Sequence, residues 1–260
     1  MEEKVDISGI YETLIRLAEE NLISQPFLVG GTPRDIYRGS SYEYNDLDFT
    51  TNDSGVVRLA LLCADSLNSF FKVFEDGHIS LYLSGHNLDF SSNFISKKAM
   101  EHLGSTATNS PLLREVYSRD FTINTLHMSI SDMKITDPLN SAKDDIDNKI
   151  IRTPIPAEIT LTDDVKRIFR SIEFATRLGF DIDDDIINFA KLHGDFIRNN
   201  KDLKRSFVEG IIGRSIGNDP QKTIELLSEM KILDIVPLSG LFKEELIKRR
   251  MIKQYLDLSS

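Results

Sequence analysis

Apolar residues recur along this chain with two different periods, and the change falls near Lys149–Pro156. In the first half, Ile10, Leu14, Leu17 and Ala18 form one helical stripe within residues 8–21. Pro26-Phe27-Leu28-Val29 reads as a short strand that ends at Gly30-Gly31. Asp46 to Thr51 alternates polar and apolar, as a half-buried strand does. Residues 55–69 predict a helix. Phe71–Phe74, His78–Leu83 and Asn87–Phe90 predict a strand meander, with an acidic turn at Glu75-Asp76-Gly77. Residues 91–118 are polar, with Gly, Ser, Thr and Asn, and predict a long loop between ordered parts. Phe121–Ile130 alternates again, and periodicity leaves strand and buried helix both open. From about 162 to 235 the period is helical: Val165, Ile168, Phe169, Ile172 and Ala175 share one stripe. Leu178-Gly179-Phe180 supplies a helix stop. Ile186, Ile187 and Ala190 lie on the next segment, and Thr223–Met230 predicts a further helix that ends before Pro237. There is no internal repeat.

Composition narrows the class. With 260 residues, 40% hydrophobic and 28% charged, the chain has material for one large domain or two small ones. No apolar run approaches the roughly 18 residues of a membrane span. The N-terminus MEEKVDISGI has no apolar stretch of a secretory signal. The single cysteine, Cys63, sits in LALLCADSL and reads as a small buried hydrophobe of a reducing compartment, so a cytoplasmic location is expected. One Cys and five scattered His argue against structural zinc. The net charge of −10 argues against a protein that coats nucleic acid through bulk charge. Residues 201–260 nonetheless carry 11 Lys+Arg against 9 Asp+Glu, with a basic cluster at Lys248-Arg249-Arg250 and Lys253.

Three constellations suggest chemistry. The first is Val29-Gly30-Gly31-Thr32-Pro33-Arg34-Asp35 followed by Asn45-Asp46-Leu47-Asp48-Phe49. Adjacent glycines at a strand end let the backbone approach a ligand and point N–H groups at an anion. A helix opening at Pro33-Arg34-Asp35 adds its positive end. Asp46 and Asp48 leave a strand from one face, and two such carboxylates suit Mg²⁺. Either feature alone is ordinary, a plain turn or a solvated strand face. The two in order, about 15 residues apart, point to phosphate handled beside Mg²⁺, which nucleotidyl transfer requires. Asp89, centred in a predicted strand, is a candidate third carboxylate or an outward edge residue. The second constellation is Arg119-Asp120-Phe121-Thr122-Ile123-Asn124. Its Arg suits a phosphate, its Asp a ribose hydroxyl, and its Asn either.

The third is Thr162 to Arg170, TDDVKRIFR. Asp164 and Arg167 are three apart, hence neighbours on a helix face. The plain interpretation is an intrahelical ion pair. The chemical one is base selection: a carboxylate accepts from an exocyclic amine while a guanidinium donates to the adjacent ring nitrogen. Cytosine and adenine offer that amine; uracil does not, and guanine presents an oxygen. One Asp–Arg pair can thus favour C and A without a nucleic-acid template.

Together these residues resemble the class II nucleotidyltransferases, the CCA-adding enzymes of tRNA and bacterial poly(A) polymerases of the polymerase-β superfamily. Gly30-Gly31-Thr32-Pro33-Arg34-Asp35 resembles the family's GGxVRD, and Asp46-Leu47-Asp48 its DxD. Arg119–Asn124 is similar to the tail of RRDFTIN, and Asp163–Arg167 to EDxxR. Residues 168–180, IFRSIEFATRLGF, follow ILRAIRFAARLGF, and residues 144–154 and 207–237 resemble the link and neck segments.

The resemblance covers roughly residues 26–237 and implies an α+β protein: a small antiparallel-sheet nucleotidyltransferase head (1–145), an all-helical neck (146–237) and a short helical remnant of a body domain (238–260). It implies Mg²⁺ on Asp46 and Asp48, with Asp89 alongside. Gly30, Gly31, Arg34, Asp35, Arg119, Asp120 and Asn124 would bind nucleotide phosphate and ribose. Asp164 and Arg167 would read the base, and Arg170 would face the phosphates. The implied partners are ATP, CTP and an RNA acceptor, a tRNA 3′ end foremost. Poly(A) or single-A addition to another RNA, and a non-catalytic nucleotide-binding subunit, are the alternatives.

Three departures bear on this. Pro33 replaces the family's Val. Ser118 replaces the first Arg of RRDFT and removes a positive charge near substrate. Glu173 stands where RAIRF has Arg, a reversal expected to weaken triphosphate binding. The segment after Pro237 is too short for the family's body and tail, so whole-tRNA recognition would call for an oligomer or another subunit.

Overall fold

The computed structural model describes residues 7–40, 46–74, 77–91, 95–104 and 110–236. The expected basic cluster at 248–253, the body remnant at 238–260, Asn45, the Glu75-Asp76 part of the acidic turn and the stop at Pro237 lie outside them. The chain forms two compact units, residues 1–148 and 149–260.

The first unit opens with α1 (Ile7–Glu20), β1 (Phe27–Val29), α2 (Gly31–Tyr37), β2 (Asp46–Thr50) and α3 (Gly55–Ser66). It continues with β3 (Phe71–Val73), β4 (Ile79–Leu83), β5 (His86–Phe90), α4 (Lys97–Leu103) and α5 (Pro111–Ser118). A 3₁₀ turn (Thr122–Asn124), β6 (His127–Ser129), β7 (Ile135–Thr136) and α6 (Ala142–Asp147) complete it. Among the described residues the strands form one seven-stranded sheet, ordered β3-β4-β5-β2-β1-β6-β7. All neighbours are antiparallel except β2 and β5, which run parallel.

The alternation in β2 sets the two faces. Leu47 and Phe49 are buried with Leu88 and Phe90 of β5 and with Ile10, Leu14 and Leu17 of α1 and Leu59 of α3. Phe49 stacks on Phe90 at 5.1 Å and meets Tyr11 edge-on at 6.3 Å. Burying each such side chain stabilises the fold by about 1.5–3 kcal/mol. One face is therefore committed to α1 and α3, and the other face of β2 carries Asp46 and Asp48.

Residues 91–118 are not one long loop. They contain α4 and α5, each begun by a serine cap: Ser96 accepts from the N–H of Ala99 at 3.0 Å, and Ser110 from that of Leu113 at 3.2 Å. Pro111 opens α5, where a missing N–H costs nothing. Phe121–Ile130 is neither all strand nor all helix. Its buried polar residues close the 3₁₀ turn before β6 begins: the Thr125 hydroxyl donates to the Thr122 carbonyl at 2.7 Å, and the Thr122 hydroxyl to Asp145 at 2.6 Å.

His127 in β6 is buried, with Nδ1 3.1 Å from the Thr125 carbonyl and Nε2 2.9 Å from the Asn52 side chain. Burial holds its pKa down to about 4; the Thr125 carbonyl opposes the shift and the Arg119 charge assists it. The unfolded chain takes up this proton near the ordinary histidine value of 6.5, the folded chain only near 4. Stability from neutral His127 is thus complete above 6.5 and lost as pH falls toward 4, about 3 kcal/mol at 1.36 kcal/mol per unit. Melting temperature measured from pH 7 to 4.5 should fall less steeply in His127→Gln than in wild type. Parallel curves would contradict this assignment.

The second unit contains α7 (Ala157–Asp163), α8 (Lys166–Leu178), α9 (Asp184–Leu192), α10 (Gly194–Arg198), α11 (Arg205–Asn218), α12 (Pro220–Glu229) and a 3₁₀ turn at Leu233–Ile235. It is not purely helical: β8 (Ile150–Ile151) and β9 (Asp181–Ile182) form a parallel pair. The predicted stripe of α8 is buried throughout and packs against α11 and α12. Emptying one large position, as in Phe169→Ala, would cost about 3–5 kcal/mol. An exposed ion pair contributes about 0–1 kcal/mol, so apolar packing fixes this helix. Gly179 ends it at φ +71°, the left-handed stop expected of its sequence.

Candidate active site

The site of the first unit is built around the turn between β1 and α2. Gly30 has φ +74° and ψ −129°, a region closed to residues with a side chain. A Cβ at Gly30 would lie 2.8 Å from Asp48 Oδ2 and 3.9 Å from Arg119 Nη1. The glycine therefore lets a backbone turn, a carboxylate and a guanidinium share one small volume. Antiparallel pairing of Val29 with Asp48 fixes that approach. The Thr32 hydroxyl donates to the Asp46 carbonyl at 3.3 Å, tying α2 to β2. The helix begins at Gly31, so Pro33 sits in its first turn, where proline is tolerated.

Asp46 is exposed and Asp48 half-buried, both on the face of β2 away from the core. Parallel register sets Asp89 directly beside Asp48. Its carboxylate, however, accepts from the Ser80 hydroxyl and from Asn87 Nδ2. Among the described residues no three His, Cys, Asp or Glu side chains are grouped to hold a metal. Hydrogen bonding across the strands thus engages Asp89 beside the Asp46–Asp48 pair. The Asp46–Asp48 pair still fits Mg²⁺, which is commonly held by one or two carboxylates together with substrate phosphates and water.

Behind the turn lies a closed polar network. Arg34 is only 2% exposed. Its Nε and Nη2 donate to the two oxygens of Asp35, both at 2.8 Å, and its Nη1 donates to Asn124 Oδ1 at 2.7 Å. Asn124 Nδ2 donates to Asp120 Oδ1 at 2.9 Å, which also accepts the N–H of Phe121 at 2.8 Å. Arg34 is buried while Asp35 is 22% exposed, so removing Asp35 would leave a buried guanidinium without its paired carboxylate. The structure thus brings Arg34, Asp35, Asp120 and Asn124 together as a scaffold behind the glycine turn rather than as an open array.

Arg119 differs. It is 18% exposed, and its Nη2 donates to Glu115 Oε1 at 2.5 Å. Burial works to lower its pKa, but the charges of Glu115, Asp48 and Asp120 outweigh that and raise it, so it stays cationic. Two buried acids here escaped the sequence reading. Glu115 was legible only as an acid four residues before Arg119 on a helix that composition concealed. Asp145, which accepts from Thr122, reads from sequence as one acid among several in DDID.

In the second unit, Asp164 and Arg167 are not two positions of one helix. Asp164 is extended, at φ −144° and ψ 101°, between α7 and α8. Its Oδ1 accepts the Lys166 N–H at 3.0 Å, and its carbonyl the Arg167 N–H at 3.1 Å. Sequence spacing missed this because a capping Asp and an interior Asp look alike. Asp164, Arg167 and Arg170 are all half-buried, and Arg170 lies 5.3 Å over the Phe174 ring. Glu173, the expected charge reversal, accepts from Arg214 Nε at 2.6 Å. Its charge is met by a helix that sequence spacing alone does not bring near.

The family model described as the poly A polymerase head domain matches residues 26–152. The chain is 31% identical over 130 residues to the tRNA nucleotidyltransferase cca1 of Schizosaccharomyces pombe, covering 50% of this chain and 24% of that protein. It is 24% identical over 223 residues to the CCA-adding enzyme of Staphylococcus epidermidis, covering 81% of this chain and 51% of the relative. The chain thus spans about half or less of these relatives. Among solved structures, a tRNA nucleotidyltransferase complexed with a primer tRNA and an incoming ATP analog shares the fold, with a TM-score of 0.67 at 24% identity. That match covers 86% of this chain and 62% of the other.

Proposed function

We propose that this chain, whose residues 26–152 match the poly A polymerase head domain, belongs to the class II CCA-adding enzyme and poly(A) polymerase family and is a template-independent RNA nucleotidyltransferase that adds C, A or both to an RNA 3′ end, a tRNA end foremost. The observation that carries this reading is the convergence of Gly30, Asp48 and Arg119 beside the open Asp46–Asp48 face. Each group has a task in in-line attack of a 3′-hydroxyl on an α-phosphate with release of pyrophosphate. Arg119 donates to phosphate oxygens, and the N–H groups of the glycine turn face the same anion. Asp46 and Asp48 would hold Mg²⁺, which when bound supplies charge neutralisation and a more acidic hydroxyl. Arg34, Asp35, Asp120 and Asn124 keep this geometry rigid. Names of relatives and the tRNA in a structural neighbour support the acceptor.

Asp164 and Arg167 select the base. Asp164 accepts the exocyclic amine of C or A, and Arg167 donates to the adjacent ring nitrogen. Preference for ATP and CTP over UTP and GTP should fall about tenfold or more in Arg167→Ala, at 1–3 kcal/mol for a good paired contact. Unchanged selectivity in single-nucleotide incorporation assays would remove Arg167 from this role. The reaction itself is tested by pyrophosphate release with ATP or CTP. Release should require Mg²⁺ and RNA together; its absence with both present would contradict the assignment.

A further inference from the structure

Arg119 is aimed by a residue that lies outside the glycine turn, the Asp46–Asp48 strand and the Arg119–Asn124 segment. Glu115 lies in α5, one helical turn before Arg119, and is 2% exposed. The chain leaves the helix at Arg119, whose backbone is extended at φ −66° and ψ 157°. Its guanidinium is therefore not held by helix geometry. One end, Nη2, is bonded to Glu115 Oε1 at 2.5 Å, and the other end, Nη1, faces Gly30 and the Asp48 carboxylate. Glu115 Oε2 is buried and has no hydrogen-bond partner among the described residues. A buried carboxylate with an unsatisfied oxygen is costly, and apolar packing alone would not select it.

We infer that Glu115 is the positioning residue of the site: it anchors one end of the Arg119 guanidinium so that the other end meets the nucleotide's phosphate oxygens. This rests on the nucleotidyltransferase reading. Asp48 and Asp120 also attract Arg119. Without the anchor, the pull of Asp48 and Asp120 would be unopposed, and the guanidinium would shift away from the phosphate. Glu115 touches no reacting atom in this scheme; it acts through Arg119.

The test is a double-mutant cycle read by equilibrium binding of Mg²⁺-ATP and by KM and kcat on an RNA primer, with melting temperature as the folding control. Glu115→Gln keeps shape and removes charge. It should weaken ATP binding about tenfold, the size of a lost charge-assisted hydrogen bond. KM should rise more than kcat falls. Glu115→Asp retains the charge but withdraws it by one methylene, and should give a smaller loss; it also serves if Glu115→Gln fails to fold. In an Arg119→Ala background, Glu115→Gln should add no further loss. Wild-type ATP affinity in a folded Glu115→Gln protein would overturn the inference, as would an undiminished effect without Arg119. If wild type itself binds neither ATP nor CTP, the nucleotidyltransferase reading fails, an outcome distinct from a failure of Glu115 alone.

Discussion

Asp48→Asn is expected to lower nucleotide incorporation by about a thousandfold while the fold melts nearly as wild type, because it removes an anionic ligand for the Mg²⁺ that would neutralise the developing phosphate charge. The substitution is isosteric. The side chain leaves β2 on the face away from Leu47 and Phe49, so no core contact is lost. Asp48 is half-buried beside Arg119, but Glu115 and Asp120 still meet that guanidinium's charge when Asp48 is neutral. What changes is chemistry: an amide cannot supply the anionic oxygen that Mg²⁺ requires. Asp46→Ala should abolish addition in the same way and leave nucleotide binding partly intact, since Arg119 and the glycine turn remain. The assay is incorporation of labelled nucleotide, with melting temperature and ATP binding measured on the same preparations. Near-wild-type turnover in either variant would refute the metal assignment.

Gly30→Ala should be almost as damaging, for a steric reason. At φ +74° and ψ −129° the backbone is strained for any side chain, at about 1–3 kcal/mol. The new methyl would also stand 2.8 Å from Asp48 Oδ2, so the carboxylate or the turn must move. A displacement of about 1 Å at a reacting centre can cost a hundredfold, and a loss of that order is expected here. Gly39→Ala separates the two effects. Gly39 also has positive φ, +72°, but among the described residues no atom lies within 4 Å of its would-be Cβ. Its alanine variant should lose stability and keep activity. Equal activity losses in the two variants would mean that strain, not displacement of Asp48, is responsible.

Much of this fold was legible because its elements are amphipathic. The stripe of Ile10, Leu14 and Leu17, the alternation of Asp46 to Thr50, and the buried face of α8 each carry a clean period. Helices α4 and α5 were hidden because each is only seven or eight residues long, too short to show a clear period, and is announced by a single capping serine. The turn at Thr122–Asn124 was hidden because its buried residues are polar, satisfied by partners as distant as Arg34 and Asp145. Pairing across the sheet had the same effect on the site. Period-2 spacing put Asp46 and Asp48 on one face, but the engagement of Asp89 by Ser80 depends on strand register. Likewise, Asp164 reads as a helix residue until the break between α7 and α8 is seen.

The same distinction governs the departures from the family pattern. Glu173 reverses a charge in sequence, yet Arg214 meets that charge from α11. Ser118 removes a charge, and its hydroxyl instead donates to the Glu115 carbonyl at 2.7 Å. Arg119 therefore carries the positive charge of that motif, which makes its anchoring by Glu115 matter more.

Single-nucleotide addition to defined tRNA ends tests the central claim most directly. Transcripts ending before CCA, after C and after CC would be incubated with Mg²⁺ and one labelled nucleotide at a time. Template-independent addition by this site predicts incorporation of CTP, ATP or both and rejection of UTP and GTP, with the pattern across the three ends showing which step the enzyme performs. No incorporation of any nucleotide on any of these ends, or incorporation that survives Asp48→Asn, would contradict the account.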